Sequence, residues 1–273
     1  LKRSTENPEI LPDRIYDEYI STRYGKKALE PVKNAFKKTY DIVLSSMYIL
    51  GTNAAKHSSM DYDPYSSSYD RHVSGRWLEP PVVFVEHGIN KEFHYWKDII
   101  NHIAPARFKT KDSRLGLEAR YVIDQNWVTP VELMDSLYLS YIITEKRYGV
   151  SLANEALADI ERAKDLLNPS DYDDLYRLFK RTALTAQLYE AVSTAYFGFR
   201  IYAKGKSYRY ENLEEQIRSA LNRIDLVTDE MKGMQGGYPL GQWDWLKDAE
   251  TALSYKNKIL TGWKEYNNVK FTQ

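Results

Sequence analysis

The chain has 273 residues, 43% of them apolar and 28% charged, which is the composition of an ordinary folded protein with enough length for a substantial core. Its 38 Lys and Arg balance its 38 Asp and Glu, so nothing marks it for nucleic acid or an anionic membrane surface, and no apolar run approaches the ~20 residues that cross a bilayer. The absence of cysteine excludes disulfides and thiolate metal sites.

Leu1-Lys2-Arg3-Ser4 is neither an initiator nor a signal peptide, so a mature product or a piece of a longer protein is expected. Asn7-Pro8 marks a turn. Pro12-Asp13 then opens a helix in which Ile15, Tyr16, Tyr19 and Ile20 recur at helical spacing, with Gly25 as its stop. Leu29, Val32, Phe36, Tyr40, Val43, Met47 and Leu50 step by three or four, which predicts one apolar stripe on a helix of about six turns, with Pro31 in the first. From Thr52 to about Trp77 the periodicity disappears, and Ser, Asp, Tyr and Pro dominate. A long structureless loop in a compact domain is usually functional. Residues 82–85 read as a short strand or a buried extended rung, 91–103 as a helix ended by Pro105, and 106–128 as a connector with a helical turn or two around Leu115–Asp124.

Thr129-Pro130-Val131-Glu132 forms a capping box for a helix that Gly149 should stop. Further helices are expected over 151–167, over 171–203 behind a Ser170 cap, and over 210–231. In the last of these Leu213, Ile217, Leu221, Ile224 and Val227 face inward. A Gly-rich connection and Trp243-Asp244-Trp245 lead into a final helix. The expected fold is all-α: a multi-helix antiparallel bundle with a long irregular insertion in the first third. It reads as a single helical domain over 1–273, made of 1–105 with the irregular loop 52–80, the connector 106–128, and antiparallel helices over 129–273.

All five histidines (His57, His72, His87, His94 and His102) fall in one window of 46 residues. The same window holds Trp77, Trp96, Tyr62, Tyr65, Tyr69 and Tyr95. Hydrogen-bonding and flat aromatic side chains on an irregular segment between helices suit a recognition surface. A zinc or iron site would need three or more of the histidines to converge, and no named ligand spacing is present, so no metal is expected. Asp61, Asp63, Asp70 and Glu86 supply carboxylates of the type that glycoside hydrolysis uses. Nothing in their spacing selects a pair, and Asp in such a loop is usually a turn residue. Arg71-His72 and Arg76-Trp77 suit an acidic saccharide: guanidinium grips a carboxylate through two parallel hydrogen bonds, and indole stacks on a sugar ring. The competing reading pairs the arginines with local Asp and buries Trp77 in the bundle. Trp243-Asp244-Trp245 is a secondary candidate surface. The chain has no phosphate loop and no nucleophile elbow, and no cofactor is expected.

Three segments also carry a family resemblance. These are Asn7-Pro8-Glu9-Ile10-Leu11-Pro12-Asp13-Arg14-Ile15-Tyr16-Asp17-Glu18-Tyr19, then Arg23-Tyr24-Gly25-Lys26-Lys27-Ala28, then the helix ending Met47-Tyr48-Ile49-Leu50-Gly51. Together they resemble the start of the α-helical C-terminal region of α-glucuronidases and related polysaccharide-degrading hydrolases, over about residues 1–105. In that family the helical region packs against a (β/α)8 barrel, helps to form dimers and lends residues to the rim of the substrate cleft. The catalytic carboxylates belong to the barrel, so the resemblance places no catalytic residue in this chain.

What the resemblance implies is a helical C-terminal domain of a periplasmic or extracellular glycoside hydrolase that degrades an acidic, uronic-acid-containing polysaccharide. Its expected partners are a poly- or oligosaccharide, the catalytic barrel domain of the same protein, and a second copy in a homodimer. The expected substrate-binding residues are His57, Asp61, Tyr65, Arg71, His72, Trp77 and His87. One alternative is a stand-alone glycan-binding or interaction module without catalysis. Another is a self-contained enzyme with its carboxylates at Asp61 or Glu86.

Overall fold

Pro12 and Asp13 occupy the first turn of α1 (Pro12–Tyr24), where a missing N–H costs nothing and a negative charge meets the positive end of the helix. The structure, a computed structural model, describes residues 11–49, 52–53, 55–56, 59–60, 136–203, 212–234 and 246–270. Gly25 ends α1 at φ 88°, a conformation that a Cβ would strain. One 3-10 turn, Lys26–Ala28, leads into α2 (Leu29–Met47). The later helices are α3 (Ser136–Arg162), α4 (Pro169–Ala203), α5 (Leu213–Gly233) and α6 (Leu246–Lys270). The described strands are two residues long: β1 (Tyr48–Ile49) pairs antiparallel with β2 (Thr52–Asn53), and β3 (Ala55–Lys56) with β4 (Ser59–Met60). The fold is the all-α helical bundle that the periodicity predicts, and no described helix is long and apolar enough to cross a membrane.

The described residues fall into two compact units. The first takes residues 1–42 and 150–183. Its core includes Ile20, Val32, Ala35, Ala153, Ala156, Ile160 and Leu175, and Phe36 meets Phe179 edge-on at 5.6 Å. Charge pairs tie its helices together. Asp13 accepts from Lys37 at 2.6 Å, and that bond holds the Asp13 carboxyl below its ordinary range. Buried Asp159 accepts from Lys38 at 2.7 Å and also pairs with Arg162. Asn168 caps α4: its Oδ1 accepts from the Asp171 backbone N–H at 2.9 Å, and its amide pairs with the Asp171 carboxylate. Arg23 lies 2.6 Å from that same buried carboxylate, which stabilises the guanidinium cation and raises its pKa. An Asn168→Ala variant is therefore expected to lose about 1 kcal/mol in urea denaturation, while Ser170→Ala stays within about 0.5 kcal/mol of wild type.

The second unit takes residues 43–149 and 184–273. Leu139, Ile142 and Ile143 of α3, Leu184, Leu188, Val192 and Phe197 of α4, and Ala249, Ala252, Tyr255, Ile259 and Trp263 of α6 form its core with α5. On α5 Leu213, Ile217, Leu221, Ile224 and Val227, the row expected from their spacing, face inward together with Ala220, Thr228 and Met231.

Three local expectations are corrected. The buried row of α2 leaves the expected stripe at Tyr40 and Val43, which are 63% and 44% exposed, while Val32 is buried, Phe36 meets Phe179 and Met47 packs against the core. The inward row runs through Val32, Ala35, Ile42, Ser45 and Ser46, where small side chains let backbones approach. Gly149 does not stop a helix, because α3 runs through it. A Cβ there would lie 3.0 Å from Ser45 Cβ and 3.1 Å from Ser46 Oγ, so glycine serves close packing rather than a turn. The cap of α4 is Asn168, with Pro169 as the first helical residue, because the Asn168 side chain reaches the third N–H of the helix. The Thr129-Pro130 helix start and the elements expected over 82–85, 91–103 and 106–128 lie outside the described residues.

Candidate functional site

The residues singled out from sequence, His57, Asp61, Tyr65, Arg71, His72, Trp77 and His87, lie outside the described residues, as do Asp63, Asp70, Arg76, Glu86, His94, His102 and Trp243-Asp244-Trp245. The structure does describe the stretch of chain around the first of them. Lys56 pairs with Ser59 across β3 and β4, so His57 and Ser58 are the two residues that join these strands. β4 packs against α6 within the second unit. The segment expected to be irregular over 52–80 therefore begins as two short antiparallel pairs, the second seated on a helix.

That helix carries an open trough of about 680 Å³. Glu250, Ser254, Asn257, Lys258 and Thr261 line it on successive turns of one face, and Leu253 and Gly262 supply its apolar part. The trough thus offers a carboxylate, an ammonium, an amide and two hydroxyls. The opposite side of α6 is packed: Phe199 and Tyr202 stack against Trp263 at 5.6 and 5.1 Å, and the Arg218 guanidinium lies 5.0 Å from the centre of the Trp263 ring. Arg218 is held there by Glu214, one turn earlier on α5, at 2.8 Å.

A second polar feature lies where α2 gives way to β1. Lys146 is buried, and its ammonium donates to the carbonyl oxygens of Ser45 at 2.7 Å and Ser46 at 3.1 Å. These carbonyls belong to the last turn of α2, where intrahelical donors run out. A cation there also meets the negative end of the helix dipole. Burial pushes the Lys146 ammonium down to about 8, against the opposing pull of the Glu145 carboxylate 3.9 Å away. Glu190 on α4, also buried, pairs with Arg223 at 2.9 Å and Arg147 at 3.7 Å.

Comparison with protein-family models, with curated proteins and with solved structures finds no match. Among the described residues no three His, Cys, Asp or Glu side chains are grouped to hold a metal ion. The described groups suit hydrogen bonding and charge pairing. Sequence reasoning missed Lys146, Ser45 and Ser46. A lysine in a helix reads as solvated, and the one hint was two serines inside an otherwise apolar row.

Proposed function

We propose that this chain is a helical support domain of a glycoside hydrolase that degrades an acidic, uronic-acid-containing polysaccharide. In this reading it braces a catalytic barrel, and residues of the 57–87 segment shape the rim of the substrate cleft. The reading follows from the resemblance over residues 1–105 and from the clustering of imidazole, indole and guanidinium groups in that segment. Its main structural support is the docking of β4 on α6, which ties the strand pair flanking His57 to a rigid helix. Binding groups carried on packed elements hold their geometry better than groups on free loops. Arg71 and His72 would bind the uronate carboxylate, Trp77 would stack on a ring face, and His57, Asp61, Tyr65 and His87 would bond to hydroxyls.

Calorimetric titration with xylo-oligosaccharides that do or do not bear glucuronic acid tests this. The acidic ligand is expected to bind at least about tenfold more tightly than the neutral one, the worth of one charge-assisted hydrogen bond. Arg71→Ala should remove that preference, and Trp77→Ala should weaken both ligands. Equal affinity for the two, or binding indifferent to both substitutions, overturns the proposal. An upstream reading frame without alternating strands and helices would leave only the glycan-binding part of it.

A further inference from the structure

We infer that Lys146 is a positioning residue for the segment that leaves α2, fixing from α3 the point where residues 48–60 begin. The inference rests on the proposed function only in giving that segment a binding role; the physical coupling stands without it. Lys146 lies 101 and 100 residues beyond the two carbonyls that it binds, so the contact joins elements far apart in sequence.

Three observations meet at this point. The ammonium is buried and takes up carbonyls of the last turn of α2. One turn further along α3, Gly149 lets that same turn come so close that a Cβ would crowd both serines. Directly after Met47 the chain enters β1, and from there to Met60 the described strands are only two residues long. Two-stranded pairs of that length do not hold themselves in water, so their place depends on what anchors their ends. One end docks on α6 through β4. The other is the α2 terminus that Lys146 grips.

Without the ammonium, the Ser45 and Ser46 carbonyls lose a charged donor while still inside the protein, and the cheapest relief is for the last turn of α2 to open to water. That opening is local. The α5 row is packed by apolar contacts that do not involve Lys146.

Amide hydrogen exchange on the full chain tests this with Lys146→Met, which keeps most of the side-chain volume and removes the donor. Exchange over residues 44–60 is expected to accelerate at least about tenfold, while amides of α5 keep their wild-type rates. Gly149→Ala, which pushes the same turn away by crowding, should accelerate the same stretch and serves if the lysine variant does not fold. Acceleration spread evenly over all helices would show Lys146 to be a general stabiliser and overturn the inference. Unchanged exchange over 44–60 would overturn it too. Failure to bind any saccharide, with 44–60 still released in the variants, would count against the proposed function and leave this coupling standing.

Discussion

Raising the pH from about 8 to 10.5 is expected to stabilise the wild-type chain against a Lys146→Met variant by about 3 kcal/mol. In the folded protein the ammonium gives up its proton near pH 8, because burial disfavours the cation, whereas in the unfolded chain it holds the proton to about 10.5. Below pH 8 both states are protonated and the gap between variant and wild type is flat. Between the two values the unfolded state binds more protons, so stability rises with pH. Above 10.5 the gap is flat again. The contribution is therefore present at high pH and lost as pH falls through the folded value. The other groups are common to both chains, so the comparison isolates Lys146. Urea denaturation of the pair across this range checks the expectation, and a gap that does not change with pH would refute it.

Trp263→Ala should cost about 3–5 kcal/mol, enough to bring the second unit close to unfolding. The ring is 6% exposed and belongs to the same core as α3, α4 and α5. Beyond its buried area it stacks with Phe199 at 25° and with Tyr202 at 20° between ring planes, and each such pair adds about 0.5–1.5 kcal/mol. Arg218→Ala removes only the cation over the ring, on a half-exposed side chain that also pairs with Glu214, and should cost under about 1 kcal/mol. Midpoints of urea unfolding measured for the three chains give the comparison. A Trp263→Ala loss no larger than that of Arg218→Ala would mean that the stack contributes little.

Apolar spacing located α1, α2 and α5, because a side chain that repeats every three or four residues reports a packed helix face, and breaks at Asn168-Pro169 and at the Gly-rich connection placed α4 and α6. It worked best on α5, where most of the inward residues are large and apolar. It misled on α2, where the weight given to Tyr40 and Val43 hid an inward row built partly from Ala35, Ser45 and Ser46. Small residues carry little hydrophobic signal, yet they permit the closest approach of two backbones. Gly149 misled for the same reason, since one residue type serves both turns and tight helix crossings. The candidate site was less legible. A lysine that grips a helix terminus a hundred residues away leaves no periodic trace, and the expected ligand-binding side chains fall in the part of the chain outside the described residues.

The grip of Lys146 on the end of α2 has a consequence for how this protein can change over generations. It joins positions about a hundred residues apart, and the entropy of bringing two positions together grows only with the logarithm of their separation, so doubling that separation costs only about 0.6 kcal/mol more. A change in the number of residues between the two positions therefore weighs little against the clasp itself, as long as the contact of β4 with α6 and the core contacts of Leu139, Ile142 and Ile143 are kept.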